Sequence, residues 1–326
     1  MASESTPFWV KSKGTAFGRL VAMTSTVRLI AIDIDGTLLP SIGGQVSERT
    51  RQVLLEAELA GITIVIATGR RQAYAAPLIL PVGLKPETVL ITSNGTVTRT
   101  LGTQTLAGRR IDRFFLPVET ARWLCDALRQ FGGMTVFTFD REGPGELVLE
   151  SIDRLSSRIS PWVNANRAWI REFDPLERCF DEGCAPVQGM LCGTVGEMRA
   201  AEAWLAASKF GEKIELHRTE YPVKDLSILD ILPPGCSKGV ALKKVAAMQG
   251  IAREEVMAIG DNFNDLEMLE FAGRTVVMAN SAPGLVQIAQ ERGWEITATN
   301  DEDGVAQVIE SVLATAGVQY GERLSR

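Results

Sequence analysis

The sequence predicts an α/β protein, with a mostly parallel sheet covered by helices on both faces and interrupted by an inserted α+β unit. Three observations predict it. Short β-branched runs alternate with helical stretches in the first and last thirds. Several of those runs stop at aspartate, or at small polar residues and glycine. The middle third carries no acidic strand end of that kind.

Taken in order, the first run is Leu-Ile-Ala-Ile at 29–32, leading into Asp33-Ile34-Asp35-Gly36-Thr37. Continuous apolar character is expected of a parallel strand buried on both faces, and open α/β sheets bind ligands at such carboxyl ends. A side-chain period of two starts Asp33 and Asp35 on the same side, and Gly36 lets the backbone approach what they bind. Two carboxylates so close repel unless a cation or a shared proton offsets them; a hard divalent ion is the obvious candidate, and a solvated acidic turn is the alternative.

Ser47 is placed to cap a helix running to about Ala60, with Gly61 at its stop. Ile62 to Ala67 then reads as a strand ending at Thr68-Gly69-Arg70, and Glu87 to Ile91 as a strand ending at Thr92-Ser93-Asn94-Gly95. The last third repeats the alternation through a strand at Leu226 to Leu232, a helix from Ser237 to Gln249, strands at Val256 to Gly260, Thr275 to Met278 and Glu295 to Thr299, and a final amphipathic helix from Gly304. Between them, Pro117 to Phe131 and Glu197 to Phe210 read as helices, and Met134 to Phe139, Glu146 to Ile152, Val187 to Thr194 and Lys213 to His217 as strands. The expected organisation is a core of 27–104 and 223–316, an insert of 105–222, a disordered leader at 1–26 and a tail at 317–326.

Composition excludes several classes. The net charge of −6, from 34 basic and 40 acidic residues without a basic block, gives no support for nucleic acid or membrane-surface binding. Five cysteines without a Cys-x-x-Cys pair argue against a disulfide framework and a zinc site, and suit buried thiols in a reducing, cytoplasmic setting. The single histidine, His217, reads as a strand-end residue near the surface. No run approaches the roughly 18 apolar residues of a membrane span. Residues 1–26 lack the apolar core of a secretory signal; an organellar transit segment is the alternative to a disordered tail, and Met23 is a candidate start.

A further acidic cluster follows the Val256 run: Gly260-Asp261-Asn262-Phe263-Asn264-Asp265. Asp261 is placed to complete a metal site with Asp33 and the Asp35 carbonyl. Asn264 and Asp265 stand at a helix start, where capping and ligand contact are both open. An EF-hand is excluded by Phe263 and Leu266 at its third and sixth positions. Lys238 begins a helix, where backbone amides already favour an anion. Four carboxylates, a lysine, a threonine after a strand and a divalent cation suit a phosphate ester of roughly two negative charges.

In these motifs the chain resembles the haloacid dehalogenase superfamily, and within it the Cof-type phosphatases with a large inserted cap. The resemblance covers about residues 28–315 and rests on Asp33-x-Asp35-Gly36-Thr37, Thr68-Gly69-Arg70, Ser93-Asn94-Gly95, Lys238-Gly239 and Gly260-Asp261-x-x-Asn264-Asp265 in that order, with Met278-Ala-Asn280 and Asp303-Gly304 beyond. It implies a Rossmann-like core under a cap, with Asp33 as nucleophile forming an aspartyl-phosphate and Asp35 as acid and base. It further implies Mg²⁺ held by Asp33, Asp35 and Asp261, with Asp265 as an outer or water-mediated ligand. Thr68, Lys238, Asn264 and the amides around Gly36 would contact phosphate, and Asn94 and Arg70 either orient the site or touch ligand. The implied substrate is a small phosphorylated metabolite, sugar phosphates first, with a phosphomutase, a nucleotide, flavin-precursor or vitamin phosphatase, or a silent binding module as alternatives. Trp162 and Trp169 are expected to pack within the cap.

Overall fold

The computed structural model describes residues 27–131, 135–154, 159–181, 183–221 and 224–315. The expected leader with Met23, the expected tail and the Met134 end of one expected strand lie outside the described residues.

The first segment runs β1 (Leu29–Ile32), α1 (Glu48–Leu59), β2 (Thr63–Ala67), α2 (Gln72–Ile79), β3 (Val89–Thr92), β4 (Val97–Thr100) and β5 (Arg110–Arg113). Next come α3 (Val118–Ala127), β6 (Val136–Thr138), β7 (Leu147–Leu149), α4 (Ser160–Asn166), β8 (Ile170–Glu172), β9 (Gln188–Gly193), α5 (Val195–Ala206), β10 (Glu215–Tyr221) and β11 (Leu226–Leu232). The last segment is α6 (Lys238–Met248), β12 (Val256–Gly260), α7 (Leu266–Phe271), β13 (Arg274–Met278), α8 (Pro283–Arg292), β14 (Glu295–Thr297) and α9 (Gly304–Thr315).

Eight strands form one sheet in the order β14-β13-β12-β1-β2-β3-β4-β5. It is parallel from β14 to β3, and β4 and β5 add antiparallel at one edge. Every residue of β1 is fully buried because its two faces meet different helix layers. Ile30 and Ile32 pack with Leu54 and Ile309 on one side, and Leu29 and Ala31 with Leu242 and Met268 on the other. Burying each large apolar side chain contributes about 1.5–3 kcal/mol, which fixes the register of the strand that carries Asp33. Helix starts follow their sequence signals: Ser47 accepts from Thr50 N, Ser237 from Val240 N, and Thr194 and Glu197 form a reciprocal capping box.

The second sheet has six strands, β10-β11-β9-β6-β7-β8, mostly antiparallel, around its own core of Leu124, Phe137, Leu191, Leu205 and Leu229. Two strands stand on the other side of the boundaries expected from sequence. Leu226–Leu232 was expected in the parallel core; its apolar character instead comes from a place between β10 and β9 in the second sheet. Arg110–Arg113 is a polar edge strand of the first sheet, beyond the expected boundary at 105. His217 also differs: it lies within β10 rather than at a strand end, and is buried, with Nε2 set 3.3 Å from the Cys236 carbonyl oxygen.

Candidate active site

The site forms where β1 and β12 lie side by side and the chain order of the sheet diverges to left and right, the crevice in which open α/β sheets bind ligands. The pairing continues one residue past β1, as Asp33 N donates to the Ile259 carbonyl at 3.1 Å, so Asp33 leaves the sheet in fixed register with Asp261. Gly36 has φ +80°, and a Cβ there would stand 2.3 Å from Asp261 Oδ2. Glycine is therefore required twice, for the left-handed turn and for the close approach of the two loops. Thr37 Oγ1 donates to Asp261 Oδ1 at 3.1 Å and holds that carboxylate in place.

Lys238, the first residue of α6, is fully buried and donates from Nζ to Asp33 Oδ1 at 2.6 Å and to Asp265 Oδ1 at 2.7 Å. Asp265 uses its other oxygen to accept from the backbone N–H of Asp261 and of Asn262, both at 3.1 Å. Carboxylate oxygens of Asp33, Asp261 and Asp265 all lie within 4.8 Å of one another. Three buried negative charges thus face one positive charge. Burial, and then the Asp265 charge, push the Asp33 carboxyl up to about 7, with Lys238 pulling the other way. Burial and the Asp33 charge likewise push Asp261 well up, while burial acts against the charge of Lys238 and its two carboxylates outweigh that and raise it. All-oxygen donors with an excess of two negative charges fit a hard divalent cation such as Mg²⁺.

Asp35 differs in kind. Its side chain is about half exposed at 47%, and Arg70 clamps it with two hydrogen bonds, the one from Nε being 2.7 Å. Arg70 also lies over the Tyr74 ring, 4.6 Å from its centroid. Thr68, at the end of β2, is buried; its N–H donates to Ile91 O at 2.8 Å and its Oγ1 accepts from Arg70 N at 3.1 Å. Asn94 sits in the left-handed region with φ 53°, donates from Nδ2 to Asp230 Oδ2 at 2.7 Å, and accepts from Asn264 Nδ2 at 3.1 Å.

The sheet ends open into a cleft of about 760 Å³ between the two sheets. Asp33, Asp35, Gly36, Asp261 and Asn264 line it, while Thr68, Lys238, Asp265 and Asn94 stand buried behind that lining. These nine residues and Arg70, all singled out from the sequence, are therefore in or directly behind one cleft. Trp162 lines the same cleft and packs against Leu147 and Val163, and Trp169 lies beneath the Arg71 guanidinium at 4.6 Å.

Sequence reading missed the residues that join the two sheets. Arg71 is buried and paired with the buried Glu146, and its second terminal nitrogen donates to Asn166 Oδ1 at 2.6 Å. Asp230, on β11, accepts from Asn94 and from Gln188 Nε2 at 2.5 Å. The one available signal was an acid inside an apolar run, Ser227-Ile-Leu-Asp230-Ile-Leu; nothing local marks Arg71.

The profile of the haloacid dehalogenase-like hydrolases matches residues 30–161 and 176–309. The chain belongs to that family. A phosphatase of Bacillus subtilis, YwpJ, is 29% identical over 310 residues, covering 88% of this chain and 100% of its own. The 5-amino-6-(5-phospho-D-ribitylamino)uracil phosphatase YwtE of the same organism is 28% identical over 304 residues, covering 88% of this chain and 99% of its own. A crystal structure of a haloacid dehalogenase-like hydrolase from Bacteroides thetaiotaomicron matches with TM-score 0.70 at 28% identity, covering 88% of this chain and 100% of that one. The chain is a phosphatase-type hydrolase of the Cof-type group, as its motif order implied. No helix among the described residues is long and apolar enough to cross a membrane.

Proposed function

We propose a Mg²⁺-dependent phosphatase that hydrolyses a small phosphorylated metabolite, a phosphorylated sugar or sugar alcohol in the first instance. The observation that carries the reading is the buried Asp33–Lys238–Asp265 cluster beside Asp261, opening into the cleft. The polar wall supplied by Thr138, Asn166, Gln188 and Thr219 suits a hydroxylated leaving group, and a relative acting on a ribityl phosphate supports that class.

Asp33 attacks phosphorus through a carboxylate oxygen, and the bond from phosphorus to the leaving oxygen breaks as Asp35 gives that oxygen a proton. Water then attacks the aspartyl-phosphate, Asp35 takes back a proton, and the bond between phosphorus and Asp33 breaks to release inorganic phosphate. Two hydrogen bonds from Arg70 orient the Asp35 carboxylate where it lines the cleft. Asp33, the Asp35 carbonyl and Asp261 would hold Mg²⁺ with Asp265 behind them, and the ion would neutralise the incoming phosphoryl group. Asn264, Thr68, Lys238 and the amides leading to Gly36 complete the anion's surroundings. We read the six-stranded unit as the cap that excludes water and selects the leaving group, and five free thiols as support for a cytoplasmic setting.

The test is inorganic phosphate release from a panel of phosphorylated sugars, sugar alcohols, nucleotides and cofactor precursors, with Mg²⁺ and with chelator, using Asp33→Asn as the blank. Metal-dependent release from a few related esters is the expected result. Rearranged product without net phosphate release would make the enzyme a mutase, and release by Asp33→Asn equal to the wild type would overturn the nucleophile.

A further inference from the structure

We infer that Asp230, a residue of the cap sheet, sets the amide orientation of Asn94 and through it that of Asn264, and so positions the Asn264 donor at the phosphate end of the cleft. The inference rests on the proposed phosphate site and deepens it. Asp230 is buried, and both of its oxygens are engaged by amide N–H groups, Gln188 Nε2 at 2.5 Å and Asn94 Nδ2 at 2.7 Å. An ionised carboxylate only accepts, so an amide beside it must present its nitrogen. Burial pushes the Asp230 carboxyl up to about 6 while those two donors hold it down, so it stays largely ionised at neutral pH.

With Nδ2 committed to Asp230, the Asn94 oxygen must face the other way. It meets Asn264 Nδ2 at 3.1 Å, in space that a side chain at Gly69 would narrow, since a Cβ there would stand 3.1 Å from Asn94 Oδ1. Asn264 is thereby held with its nitrogen toward Asn94 and one N–H still free to donate, while its side chain lines the cleft. All three groups read in one direction: Asn264 donates to Asn94, Asn94 to Asp230. An asparagine at 230 would lose that direction, because its amide satisfies Asn94 in either orientation, and Asn264 could then turn its oxygen toward the phosphate. Asp230 is thus a positioning residue, acting on phosphate through two amides. It lies on β11, the strand that leads into the α6 start at Ser237 and Lys238.

The experiment is a double-mutant cycle read by calorimetric binding of inorganic phosphate to the full chain in Mg²⁺. Asp230→Asn should weaken binding about tenfold, as loss of a well-placed donor to an anion does, and should add nothing further in an Asn264→Ala background. Asn94→Gly, which keeps the left-handed backbone and cuts the relay at its middle, should reproduce both results even if Asp230→Asn folds poorly. Losses that add across the cycle, or unchanged binding by both variants, would overturn the inference. Phosphate binding with the expected non-additivity but no turnover of any ester would leave the relay standing and overturn the phosphatase reading.

Discussion

Replacing Lys238 by methionine removes the cation that serves two carboxylates, Asp33 and Asp265. The pairs are short, 2.6 and 2.7 Å, and the lysine side chain is wholly buried, with its two partners no more than 5% exposed. Removing one partner of a buried ion pair typically costs about 3–5 kcal/mol, because the remaining charge is left without water or counter-ion. At about 2.1 cal/mol/K of unfolding entropy per residue over roughly 300 ordered residues, that corresponds to a melting temperature lower by roughly 5–8 °C. The loss should depend on pH. Burial and the Asp265 charge already raise the Asp33 carboxyl from 3.8 to about 7. A raised carboxyl contributes stability that is fully present below its unfolded pKa and is lost as pH rises through its folded value. Without the lysine that value moves further up, so at pH 5.5 the Asp33 carboxyl is protonated and the difference between variant and wild type should be smaller than at pH 8. Thermal melts of both proteins in chelator at pH 5.5 and 8 are the assay, with turnover of the variant expected to vanish. Equal differences at the two pH values, or no difference at pH 8, would refute the charge argument.

Three further outcomes are expected. Gly36→Ala meets both a φ of +80° and a Cβ position 2.3 Å from Asp261 Oδ2, so it should cost about 1–3 kcal/mol and raise the Mg²⁺ concentration needed for half-maximal activity; a metal titration with a parallel melt checks it. Arg71→Met leaves Glu146 buried without its cation, and since burial already raises that carboxyl to about 7 against the pull of Arg71, the variant should lose about 3–5 kcal/mol at pH 8 and less at pH 5.5. Glu146→Gln, which removes a charge but keeps an acceptor, should lose less than Arg71→Met in the same melts.

The strands that carry the chemistry were legible because burial on two faces demands continuous apolar runs, and a charged residue ending such a run is conspicuous. Asp33 and Asp261 were singled out in that way and Lys238 by its place at a helix start, and the Ser47 and Ser237 helix starts match local hydrogen-bonding chemistry that needs no tertiary partner. Helices α2 and α8 were not read. One is almost wholly apolar after Gln72 with Pro77 inside it, and the other offers too weak an alternation, so neither shows a distinct face.

What the sequence by itself determined is the order of the motifs and the kind of groups delivered to the sheet ends, because these depend on neighbours a few residues apart. Tertiary structure alone decided which sheet received Leu226–Leu232, since a central antiparallel strand and a buried parallel one make the same apolar demand. It alone brought Arg70 to Asp35, Arg71 to Glu146 and Asp230 to Asn94, pairs separated by 35, 75 and 136 residues. A charge or amide at such a distance leaves no periodic trace; its partner is chosen by where two packed layers place it, and by the cost of burying it unpaired.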